Sequence, residues 1–144
     1  MNYYSYHDSN GTHKRILLTE GTLPGIMKDL RETAKKKIKT EHDYLEHSGL
    51  PYMGKILDCD PVSVQRITVA VQAAQDALAA GREMNILWTC QDNSTVEFTA
   101  EQICGIPVAL AIHSNQLHQT ARQLKGAVDA ATTPEELESI TWPE

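Results

Sequence analysis

The chain reads as an α+β protein dominated by helix, with long heptad-spaced helices and a small antiparallel hairpin sheet. Three observations lead there. Apolar residues recur at steps of three and four along two long stretches, 61–81 and 99–131, the spacing of one helix face. Between them lies a strand-turn-strand pattern, LWTCQDNSTVEFT, with period-two alternation on both sides of a polar turn. Aromatic residues make up only 6% of the 144, with a single Phe98. A core so short of rings is built from Leu, Ile, Val and Ala, which suits helix packing on helix. The length fits one domain, with or without an N-terminal extension.

Residues 1–25 read as an N-terminal arm or short hairpin that serves for attachment, and residues 26–144 as the domain. Residues 1–13 are polar and tyrosine-rich, with a turn signal at Asn10-Gly11. Tyr3, Tyr4 and Tyr6 could form one side of a hairpin and Ile16 to Leu18 the other. Equally, the segment could order only on a partner. Thr22 is an expected N-cap, with Pro24 just inside the helix. The stretch to Gly49 then reads as helix, with Ile26, Leu30, Ala34, Ile38 and Leu45 near one face. LPYMGKILDCD follows as two brief strands with a turn or bulge at Gly54.

Asp60-Pro61 marks a helix start, a capping carboxylate followed by proline. That helix stops at Gly81, a C′ glycine. Its expected seam is Val64, Ile67, Val71, Ala74 and Leu78. In the hairpin, Met84, Ile86 and Trp88 share one face of the first strand, and Val96 and Phe98 one face of the second. Trp88 and Phe98 are expected to pack the hairpin on the helices. Asp92 and Asn93 are expected to make the turn, by side-chain hydrogen bonding and tolerance of positive φ. Thr99 with Gln102 is a capping-box pattern. The last long helix carries Ile103, Ile106, Leu110, His113, Leu117, Leu124 and Val128, with Ala121 filling the long step. Pro107 should bend it or mark a one-turn prelude. Trp142 is expected to anchor the end.

Composition excludes several functions. The net charge is -6, and residues 51–144 carry five Lys and Arg against twelve Asp and Glu, which argues against a nucleic-acid partner. The run Lys35-Lys36-Lys37 with Lys39 reads as a solvated helix face. No stretch of 18 apolar residues exists to span a membrane, and MNYYSYHDSNG has no secretory leader pattern. Cys59, Cys90 and Cys104 are too few and too far apart for a disulfide framework and read as reduced thiols.

Chemistry-bearing patterns are weak throughout. His42 and His47 are five apart, as are His113 and His118, and side chains at that spacing diverge on a helix. His113 reads as a hydrogen-bonded seam histidine and not as a ligand. Cys59 lies beside Asp58 and Asp60, which should raise its pKa, the wrong direction for a nucleophile. No nucleophile elbow, dinucleotide loop or phosphate loop is present. The reading is of a protein that is not an enzyme, with no cofactor and no metal.

One longer pattern remains. It comprises Gly54, Lys55, Asp60, Ser63, Arg66 and Ile67. The hairpin adds Trp88, Thr89, Asp92, Asn93, Val96, Phe98 and Thr99, and the end adds Leu124, Lys125, Ala130, Ala131, Thr133, Glu135, Glu136 and Leu137. In this order they resemble a phage-encoded domain of unknown function that recurs at the C-terminal end of phage tail fibre and tail-associated proteins. The likeness covers about residues 30–142, with Phe98 in place of the usual aliphatic residue. The family has no known catalytic residues to carry over.

The resemblance implies a structural component of the virion tail, made in the host cytoplasm, with other phage tail proteins as partners. The alternative is a tail fibre assembly chaperone not retained in the virion. Residues 99–131 would span about 45–50 Å as helix, longer than a compact domain of this size, so the half carrying Leu117 and Leu124 should protrude unless another copy covers it. A homo-oligomer is therefore expected, a trimer first and a dimer second. The structural or interface residues expected are Trp88, Asp92, Asn93, Phe98, Leu110, His113, Leu117 and Leu124.

Overall fold

The computed structural model describes residues 3–8, 10–17 and 23–144. The N-cap expected at Thr22 and the Leu18 end of the arm lie outside them. The chain is α+β and helix-dominated, with three separate two-stranded antiparallel sheets. In order the elements are β1 (Tyr3–His7), β2 (His13–Leu17), α1 (Leu23–His47), β3 (Leu50–Tyr52), β4 (Lys55–Leu57), α2 (Pro61–Ala79), β5 (Asn85–Thr89), β6 (Thr95–Thr99), α3 (Ala100–Ala130) and α4 (Pro134–Glu138). They divide into two compact units. A central unit holds residues 43–117, and a terminal unit holds residues 1–42 with 118–144.

In the central unit, β5 and β6 pair in a register that sets Ile86 opposite Phe98 and Trp88 opposite Val96. Phe98 is 1% exposed and sits in a core with Leu50, Leu57, Ile67, Ala74, Ile103 and Ile106. At the turn, Asn93 takes φ 64°. Asp92 Oδ1 accepts the Ser94 N–H at 2.9 Å and the Ser94 hydroxyl at 2.5 Å, so side-chain acceptors close the loop locally. The second strand runs straight into α3 through a reciprocal capping box. The Thr99 N–H donates to Gln102 Oε1 at 2.9 Å, and the Gln102 N–H donates to Thr99 Oγ1 at 3.2 Å.

β3 and β4 turn over Met53 and Gly54, both at positive φ (50° and 76°), which fits the twist of a two-residue hairpin. Tyr52 of β3 packs edge-on against Phe98, and its hydroxyl donates to the Gln102 carbonyl at 2.6 Å. That reach depends on Gly105, where a Cβ would stand 2.5 Å from the Tyr52 oxygen.

Asp60 does occupy the N-cap position of α2, but its carboxylate makes no cap to a backbone N–H. It accepts the Ser63 hydroxyl at 2.5 Å instead. Gly81 ends the helix as a C′ residue: the Arg82 N–H donates to Ala77 O and the Gly81 N–H to Leu78 O, the Schellman pattern. The seam is rotated from the expected one. The buried residues are Ile67, Ala70, Ala74 and Ala77, while Leu78 is exposed. Val71 packs at the margin of this core.

In the terminal unit, β1 and β2 form a hairpin pairing Tyr3 with Leu17 through His7 with His13. Asp8 organises its turn by accepting from the Asn10 and Thr12 N–H groups, both at 2.9 Å. The hairpin is tied to the C-terminal end of the chain. The Tyr4 hydroxyl donates to Glu135 at 2.7 Å and the Tyr6 hydroxyl to Glu138 at 3.0 Å. The core here is Met27, Ile38, Ala121, Val128, Ala131 and Leu137, with Leu30, Ala34, Leu124 and Trp142 packed on it. Met27, buried where Ile26 was expected, rounds off the α1 face. Thr133 caps α4 by accepting the Glu136 N–H.

α3 runs unbroken through Pro107, so there is no one-turn prelude. Its C-terminal half does not protrude bare. Leu124 packs against the terminal core, where residues of α1 cover it. Leu124 therefore needs no second copy to cover it.

Candidate functional site

The hairpin tip is engaged in its own structure. Besides closing the turn, it is held to β4: the Gln91 N–H donates to Ile56 O at 2.9 Å, and Lys55 Nζ donates to Ser94 Oγ at 3.4 Å. The Asp92 carboxyl is lowered below its ordinary pKa, first by the Ser94 hydroxyl, then by the Ser94 N–H and by Lys55. One carboxylate oxygen, Oδ1, is thus committed to closing the turn.

Cys59 is a buried thiol whose Sγ donates to Glu46 O at 3.4 Å. Its pKa is raised, by burial first and only then by the charges of Asp60, Glu46 and Asp58. The direction matches the sequence reading, but burial outranks the neighbouring carboxylates. The chemical consequence is the same, a protonated and poorly nucleophilic sulfur. His113 is half-buried, and its Nε2 has no hydrogen-bond partner among the described residues, so the expected hydrogen-bonded seam histidine is not formed at that nitrogen. Leu110 packs on the central core, and Leu117 is half-buried.

Sequence spacing separated the histidines, but the terminal unit brings two of them together. His42 of α1 and His118 of α3 meet edge to face with centroids 4.6 Å apart, and Trp142 lies 5.9 Å from the His42 ring. Imidazole nitrogens are donors of the kind zinc takes. The same unit has a cavity of about 720 Å³ whose apolar wall includes Leu30, Ile38, Val128, Leu137 and Trp142.

Surface is where the central unit stands out. Val62 is 58%, Val69 65% and Leu87 68% exposed, and Met53, Val108 and Ile112 are also more than half exposed. Trp88, expected to pack the hairpin on the helices, packs against the central core and is half-buried. With Ile86 it walls an apolar groove of about 490 Å³ against Val62, Val69 and Ala73 of α2. Period two correctly put Trp88 on the inner face of its strand, where it packs against the central core with Ile86 and Val96. Of the exposed apolar residues, Val62 and Val69 lie together in this groove.

The fold and these surfaces define a small helix-dominated α+β domain with apolar faces turned outward. The chain belongs to the family described as a domain of unknown function, DUF4376, whose model matches residues 29–141. No curated protein and no solved structure matches it. Among the described residues, no helix is long and apolar enough to cross a membrane.

Proposed function

We propose that the chain is a non-enzymatic structural component of a phage tail, a tail fibre or tail accessory protein that acts through oligomerisation and protein contacts. The observation that carries the contact role is the exposed apolar surface of the central unit, Val62, Val69 and Leu87 above all. Such surface is costly to leave in water and is covered in use. Support for the tail context comes from the ordered motif resemblance from Gly54 to Leu137 described above. The satisfied turn at Asp92 and the protonated Cys59 favour assembly over catalysis.

Quantitative mass spectrometry of purified virions tests the reading. A fixed copy number per particle is expected. Absence from virions, with the protein required in infected cells for fibres to form, would replace it by the assembly-chaperone alternative.

A further inference from the structure

α2 has a second face. Beside its buried seam, about 100° round the helix, Val62, Arg66, Val69, Ala73, Asp76 and Ala80 follow one another at steps of four and three, and all six are exposed. Arg66 and Asp76 are the only charged side chains between Pro61 and Ala79. Neither is in a side-chain hydrogen bond or ion pair among the described residues. They cannot pair within one helix, because ten residues at 1.5 Å rise set them roughly 15 Å apart.

The strip is palindromic about position 71. We infer that α2 pairs with α2 of a second copy, antiparallel and about a two-fold axis. In that register Arg66 faces Asp76 of the partner subunit, Val69 faces Ala73 of the partner subunit, and Val62 faces Ala80 of the partner subunit. Each contact occurs twice, as an isologous interface requires. Both charges of the helix are matched, and each valine meets an alanine small enough to let the backbones approach. Steps of four and three are those of a coiled-coil seam. Ile86 and Trp88 wall the groove beside the strip and extend the apolar contact. A parallel arrangement, including a parallel trimer, would instead gather Arg66 side chains at one level and Asp76 at another, and like charges would oppose it.

The inference rests on the self-association in the proposed function but not on the tail context. One helix face and a groove wall fall below the ~1,200 Å² of stable complexes, so a weak dimer is expected. Sedimentation velocity on the full chain across the micromolar range is the test. Wild type should move from monomer to dimer mass and stop there. Arg66→Asp and Asp76→Arg should each weaken association about tenfold or more, since two attractive pairs become repulsive. The double reversal should restore it to within about threefold, the coupling expected of groups in contact. Val69→Glu should abolish it. All these positions are exposed, so circular dichroism should show unchanged helix. A wild type that is monomeric at high micromolar concentration, a trimer, single reversals without effect, or a double reversal that does not restore would each overturn the inference. None of those outcomes alters the virion copy number that tests the tail reading.

Discussion

The central and terminal units solve the same problem in different ways. The central unit is stitched from one continuous stretch, and its core has a ring, Phe98, with Tyr52 edge-on to it. Its outer faces keep valine, leucine and isoleucine in water. The terminal unit is assembled from the two ends of the chain. Its core is small, with Met27, Ala121 and Ala131 among its buried residues, and polar links reinforce it. These are the two tyrosine–glutamate hydrogen bonds, the Lys35–Asp129 ion pair at 2.5 Å and Arg31 Nη2 donating to Ala131 O at 2.8 Å. A unit whose strands and helices follow one another can leave apolar surface for others, because its interior is already secured. The terminal unit, drawn from distant segments, uses directional bonds to set their register, as the central unit does where Tyr52 donates to Gln102 and Gln91 to Ser48.

The largest test of this contrast is Phe98→Ala, expected to cost about 3–5 kcal/mol by emptying the central core. Trp88→Ala should cost clearly less, since its ring is half in solvent. Thermal melts of both variants check the order, and equal losses would mean that Trp88 is core. Next comes Gly105→Ala, whose methyl would displace the Tyr52 hydroxyl. A loss of about 1–3 kcal/mol is expected from overpacking, and combining it with Tyr52→Phe should recover part of it.

Tyr6→Phe should cost about 1 kcal/mol, the net worth of one hydrogen bond, and hydrogen exchange should report it in residues 1–42 and 118–144. The same link predicts a pH window. Burial, with the Glu138 hydrogen bond second, raises the Tyr6 phenol to about 12. A raised pKa means that its contribution is complete below the ordinary tyrosine value near 10 and fades as pH climbs to about 12. The hydrogen bond from Tyr4 lowers the Glu135 carboxyl. Its contribution holds above the ordinary glutamate value of 4.5 and is lost as pH falls below it. Hydrogen exchange, corrected for its intrinsic pH dependence, should therefore show the terminal unit fully protected at pH 7 and loosened above pH 10. Smallest is Lys35→Ala, where both partners are largely exposed and a few tenths of a kcal/mol are expected.

The sequence by itself determined most of what is decided within a few residues, the Asp60 cap excepted. The capping box at Thr99, the turn at Asp92-Asn93, the C′ glycine at Gly81 and the inner face of β6 follow from backbone hydrogen bonding and the two-residue period, which need no distant partner. The seam of α3 was equally legible from Ile103 to Val128, because one repeated step defines a face. Tertiary structure alone decided which face each helix buries when two are nearly as apolar. α2 buries Ala70 and Ala77 more deeply than Val71, which packs at the core's margin, and leaves Leu78 exposed. It also decided where the core stops, which left Trp88 half in water and Val69 outside. And it decided what the two chain ends meet, bringing Tyr6 to Glu138 and His42 to His118. Those contacts join residues far apart in the chain, and no local pattern records a neighbour that only the folded chain brings near.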